Sequence, residues 1–207
     1  MSSQLLWYTT RATGLTAFVL LTATVVLGLL ARRRVSSPRW SRFVQQEVHR
    51  RISILAVSFL AVHILTSILD TYVHIGWTAI VVPFTSPYER FFVGLGAVAL
   101  DLFIAVFVSS LLKDHMSTRV WRAIHWLAYG SWPVAAAHSI GSGTDMRLDW
   151  VDAIVGACCL SVVLAALVRF ATAPADVPRR TSSRLGGALE DVRTEGGRDG
   201  LRLGESR

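Results

Sequence analysis

Cysteine is nearly missing from this 207-residue chain: the two present, Cys158 and Cys159, are adjacent within an apolar run. Neighbouring cysteines form neither a CxxC redox motif nor a disulfide framework, so both read as packing residues. Charge is sparse as well, with Asp, Glu, Lys and Arg together at 17%. The sequence contains no Ser/His/Asp arrangement, no phosphate loop and no strand followed by a GxGxxG turn, which excludes a hydrolytic triad and a nucleotide-binding unit of its own. The 21 Lys and Arg outnumber the 14 Asp and Glu. Yet the basic residues form short runs between apolar segments, with no patch interleaved with aromatics, so the excess reads as membrane topology and not as nucleic-acid binding.

Apolar sequence is what the chain has in quantity: 52% hydrophobic residues and a mean hydropathy of +0.47. Crossing a bilayer core takes roughly 20 helical residues. Five stretches qualify, at about 5–31, 46–70, 91–112, 120–140 and 150–171. The fold class expected is all-α, an integral membrane bundle of five transmembrane helices. Seven arginines lie between Arg32 and Arg51, and Lys113, Arg119 and Arg122 lie between the third and fourth stretches. The intervening segments on the other side carry only Arg90 and Arg147, the latter beside Asp145 and Asp149. By the positive-inside rule the N-terminus is outside and the C-terminus cytoplasmic, in the plasma membrane, with lipid as the surrounding partner.

The first apolar run is followed, not preceded, by its basic cluster, so it reads as a retained helix and not a signal peptide. The aromatic stretch HIGWTAIVVPF at 74–84 is too short to span and is expected along the outer interface. Residues 1–172 are read as the membrane domain. Residues 173–207, rich in Arg, Gly, Ser, Asp and Glu, are read as a disordered cytoplasmic tail.

Polar groups at membrane depth are costly and face the bundle interior, so each needs a reason. His49 and His63 stand on the second stretch, 14 residues apart. At 1.5 Å per residue that is about 21 Å, and 14 steps of 100° return to within about 40° of the same face. His125 and His138 stand on the fourth, 13 residues apart. Their depths match the first pair at about 20 Å, but ideal steps leave them roughly 140° apart in azimuth. Gly130 and Pro133 lie between them, and a proline kink there is expected to restore the aim. Because the two stretches run in the same direction, the histidines fall into two layers, one near each membrane face. Paired neutral imidazoles across a four-helix interior suit axial ligation of haem iron. A zinc site would want its ligands in one coordination sphere, and these layers are about 20 Å apart. His74 and His115 belong to no pair and read as loop histidines.

The two spacings resemble the bis-histidine pattern of the ferric reductase-like transmembrane domain superfamily, which includes ferric reductases, NADPH oxidases and the haem-binding subunit of the methionine sulfoxide reductase system. Further resemblance lies in TTRATGLTAFVLLTATVVLGLL, VGLGAVALDLF and WRAIHWLAYGSWPVAAAHSIGSGTD. It covers about residues 5–170 and is nearest to small actinobacterial members made of the membrane domain alone. The resemblance implies two haems b, with His49 and His125 as ligands of the inner iron and His63 and His138 as ligands of the outer one. It implies electron transfer from a cytoplasmic or quinol donor to an outer acceptor, as a component of an oxidoreductase. The larger relatives carry a cytoplasmic flavin and nicotinamide domain that nothing after Thr172 provides, so a separate flavoprotein or a quinol must supply electrons. Two alternatives stand beside this reading: a haem-binding anchor subunit for a separate oxidoreductase, and a haem-free transporter that uses the histidines for metal or protons.

Asp101 falls near mid-membrane, where a charge by default suggests function. It is expected to pair with Arg11 or to hydrogen-bond a ligating imidazole, and Arg11 belongs with it as a supporting residue. Arg50, Arg51 and Arg122 flank the inner ligands, and Arg90 and Arg147 the outer ones. Each either pairs with a haem propionate or only sets topology. Trp77, Tyr88 and Trp150 fit an interfacial aromatic belt.

Overall fold

The computed structural model describes residues 3–30, 42–70, 75–142 and 149–171. Every regular element among them is helical. They are α1 (Ser3–Leu30), α2 (Arg42–Leu69), the single-turn α3 (Thr78–Val81), α4 (Arg90–Leu111), α5 (Thr118–His125), α6 (Leu127–Gly141) and α7 (Asp149–Ala171), with a 3-10 turn at Lys113–His115. Four of these, α1, α2, α4 and α7, are long and apolar enough to cross a membrane. Residues 31–41, His74, Arg147 and Asp145, and 172–207 with the expected tail, lie outside the described residues.

The fourth apolar stretch differs from the expectation of one kinked helix. Its helix stops at His125 and restarts at Leu127, so the interruption falls at Trp126 and not at Gly130 or Pro133. Pro133 lies inside α6. The Trp126 amide reaches back to Arg122 O at 3.1 Å, Trp126 O accepts from the Tyr129 amide at 3.0 Å, and the Trp126 backbone stays right-handed helical (φ −64°, ψ −23°), so the interruption is one tightened turn that orphans neither group. Ser117 caps α5, its hydroxyl accepting from the Val120 amide.

Two antiparallel pairs make the frame: α2 packs along α1, and α4 along α6, with α1 joining them through contacts to α6 and α7. Small residues line these seams, as helices in lipid require for close approach. Ala17, Ala56, Ala97, Ala99, Ala136 and Ala165 are buried. Phe18 stacks on Trp132 with ring centres 5.9 Å apart, and the Trp132 indole donates to Thr22 Oγ1 at 2.9 Å, binding α6 to α1. Cys158 is buried against Phe18, Ala136 and Val155, a packing position.

At the His63 end the chain between α2 and α4 folds back over the helices. Ser86 is buried and its hydroxyl donates to Tyr88 O at 2.7 Å. Phe84 (φ 66°) and Glu89 (φ 39°) take left-handed backbone conformations that bulky side chains rarely adopt. The Phe84 ring is seated on Gly94, where a Cβ would collide with it. Trp77 and Trp150 are exposed on this rim, consistent with an interfacial belt.

Candidate functional site: paired imidazoles in the bundle interior

His63 on α2 and His138 on α6 meet in the interior with ring centres 6.4 Å apart and planes inclined at 70°. His63 Nδ1 lies 2.9 Å from Thr10 O on α1, and His138 Nδ1 lies 2.8 Å from Phe92 O on α4. A carbonyl oxygen only accepts, so both Nδ1 atoms carry the hydrogen and both Nε2 atoms keep a free lone pair. Ser142 Oγ stands 3.2 Å from His138 Nδ1 and shares that hydrogen.

The carbonyls are reachable because of glycine. In a helix the side chain at position i+4 leans back over the turn containing carbonyl i. Gly14 follows Thr10 by four residues, and Gly96 follows Phe92 by four. A Cβ on Gly14 would stand 2.8 Å from the His63 ring, and one on Gly96 would stand 2.8 Å from that of His138. Each imidazole therefore lies flat against a bare stretch of the neighbouring helix and bonds to the carbonyl that the missing side chain uncovers.

Fourteen residues along α1 the device recurs in looser form. His49 is hydrogen-bonded to the backbone of Thr24, and a Cβ on Gly28 would lie 3.9 Å from the His49 ring. The repeat Thr10/Gly14 and Thr24/Gly28 has the same 14-residue step as His49 and His63. His125 stands within electrostatic reach of His49, so the second pair also shares one end of the bundle. Its Nδ1 is different: it is buried with no hydrogen-bond partner, as is the indole nitrogen of Trp121, whose ring stacks on His125 at 4.9 Å.

Around His63 and His138 lies a cavity of about 1140 Å³ that reaches from α1 across to α2, α4, α6 and α7. Pockets of roughly 300–1,000 Å³ hold drug-sized ligands, so this one has the volume for a large ligand. Arg11 and Asp70 line it, Asp70 at 3% exposure. Arg11 donates to Ser142 O at 2.7 Å, at the C-terminal end of α6 where a cation also complements the helix dipole.

The remaining sequence candidates are placed as follows. Arg11 stands beside both His63 and His138, as a supporting residue of that pair. Asp101 is exposed on the outer surface of α4, and among the described residues no hydrogen bond joins it to a histidine or to Arg11. Arg50 and Arg51 pair with Glu47 at 3.3 and 2.7 Å, on the exposed flank of α2. Arg90 donates to Phe84 O and secures the folded-back segment. His115 is exposed. Sequence reasoning missed Thr10, Gly14, Phe92, Gly96 and Asp70; the matched 14-residue repeats on α1 and α2 were the signal for the first two.

Two imidazoles that present Nε2 lone pairs across a cavity can ligate one metal centre from opposite sides. Among the described residues no group of three or more His, Cys, Asp and Glu side chains converges to hold a metal ion without further ligands. Residues 5–145 match the family model described as a domain of unknown function (DUF8596). No curated protein and no solved structure matches the chain.

Proposed function

The chain belongs to this family of unknown function, and from that premise we propose that it is a five-span membrane cytochrome b. In this reading α5 and α6 together make the fourth crossing, the N-terminus is outside and the C-terminus cytoplasmic. His63 and His138 hold an outer haem, and His49 and His125 an inner one. The chain relays single electrons from a cytoplasmic or quinol donor to an outer-side acceptor.

The separation of His63 and His138 is the observation that carries the reading. With metal–imidazole bonds of about 2.0–2.1 Å and the bonding nitrogen about 1.1 Å from each ring centre, two imidazoles that held one metal ion from opposite sides would have centres about 6.3 Å apart. The observed value is 6.4 Å. The Nδ1–H bonds to Thr10 O and Phe92 O fix the tautomer, hold each ring's orientation and raise the basicity of Nε2. On the other pair, the unpartnered buried nitrogens of His125 and Trp121 mark a place where the bundle's own polar groups are incomplete.

Haem supplies a one-electron iron couple whose potential depends on axial ligation and its hydrogen bonds. The chain supplies three imidazoles tethered to backbone, those of His49, His63 and His138, a fourth at His125, and Arg11 as a cation beside the outer pair. Held by a pair of histidines, such an iron would have no site left for oxygen or substrate, which would favour outer-sphere electron transfer over chemistry at the metal.

Sealed vesicles test the direction. A reductant confined to the cytoplasmic side is expected to reduce a membrane-impermeant ferric chelate on the outer side, and His63→Ala to abolish it. Equal rates with and without the protein would sink the proposal.

A further inference from the structure

The two histidine pairs differ in the charge beside them. Arg11 follows Thr10, whose carbonyl oxygen holds His63 Nδ1, and its guanidinium donates to Ser142 O at 2.7 Å. Ser142 is in turn built onto His138: its amide donates to His138 O at 2.9 Å, and its hydroxyl stands 3.2 Å from His138 Nδ1. One cation is thus tied to the supports of both imidazoles. The guanidinium also lies over the ring of Trp7, 5.5 Å from its centre, which fixes it on a second side.

Where that charge lies decides what it does. Arg11 is half-buried, lines the cavity and stands within electrostatic reach of both rings. A partly buried charge keeps more of its field than an exposed one. At the other pair the cation near His125 is Lys113, which is exposed over the Trp121 ring, so solvent and salt screen it. Asp70 is the acid that lines the cavity among the described residues, and it stands seven residues beyond His63, about 10 Å along α2. The side-chain charge that acts on both rings is that of Arg11.

We infer that Arg11 poises the bundle for outward transfer: its fixed charge stabilises an added electron at the His63 and His138 site and makes that site the more readily reduced of the two. This rests on the cytochrome reading and supplies a cause for its direction. Taking up an electron lowers the charge of a metal centre by one, so a poorly screened cation beside it favours the reduced state. A unit charge about 10 Å away, at an effective dielectric of about 20, shifts such an equilibrium roughly tenfold, or about 59 mV for one electron. Electrons then run downhill from the inner pair to the outer one.

Redox titration of the visible spectrum of the purified full-length protein in micelles, with haem content measured in parallel, is the test. The natural sequence is expected to titrate in two steps, and His63→Ala to lose the higher one. Arg11→Gln is expected to keep both haems and to lower the higher midpoint by about 59 mV, a tenfold loss in the reduction equilibrium, with the lower midpoint in place. Arg11→Lys keeps the charge and is expected to keep the higher midpoint, which a purely structural role for the guanidinium would not allow. Midpoints unmoved in Arg11→Gln, or moved as far in Arg11→Lys, would overturn the inference, as would a His63→Ala protein that retains the higher step. Loss of one haem from Arg11→Gln would also overturn it, by making the guanidinium a holder of the cofactor. A natural protein without haem would remove the cytochrome reading itself, and the poise with it.

Discussion

The imidazoles of His63 and His138 each depend on an atom that is missing from a neighbouring residue. Gly14 and Gly96 lie where a methyl group would stand 2.8 Å from a histidine ring, closer than side chains tolerate. Gly14→Ala or Gly96→Ala is therefore expected to displace the ring from its carbonyl and to lower haem content by about one per chain, read from the reduced pyridine-adduct spectrum. Retention of both haems in both variants would contradict the role given to the bare helix surface. Gly130 is the contrasting case, with nothing within 4 Å of a built Cβ. Gly130→Ala is expected to keep both haems and to stabilise the helix by up to about 1 kcal/mol, as alanine does for glycine in a helix interior. Thermal unfolding in micelles reads that difference.

Helices α1, α2, α4 and α7 were legible because unbroken apolar runs of this length have few other solutions. The division of the fourth stretch was not. Trp126 carries no breaker signal, while Gly130 and Pro133 do, and the proline's missing amide is absorbed within α6. Pro133→Ala is expected to leave haem content unchanged, since α6 runs unbroken through Pro133 and the His138 ring is held by Phe92 O; loss of one haem would return the proline to the centre of the geometry. The histidine pairing was legible from depth alone, whereas the tethers were not, because carbonyl acceptors have no residue identity. Trp132 ties α6 to α1 through Thr22. Trp132→Phe keeps the stack on Phe18 and is expected to cost about 0.6 kcal/mol, at most about 1.7, the range for hydrogen bonds between helices in lipid.

For the molecule as a whole, the frame of two antiparallel pairs brings α2 and α6 together at His63 and His138, with a cavity of about 1140 Å³ around that pair. The exposed Asp101 shows where sequence reasoning over-reached: mid-membrane depth alone cannot distinguish an interior carboxylate from one on the outside of the bundle. Asp101→Asn is expected to leave haem content and midpoint potentials unchanged, as measured by redox titration of the visible spectrum. A shift in either would place the carboxylate in contact with the redox site.

The central claim is that the four histidines hold two haems. Haem per chain and the reduced-minus-oxidised spectrum, for the natural sequence and for His63→Ala and His125→Ala, test it most directly. The account predicts two b-type haems, with each variant retaining about one. A colourless, folded protein would contradict it and would return the paired histidines to metal or proton transport.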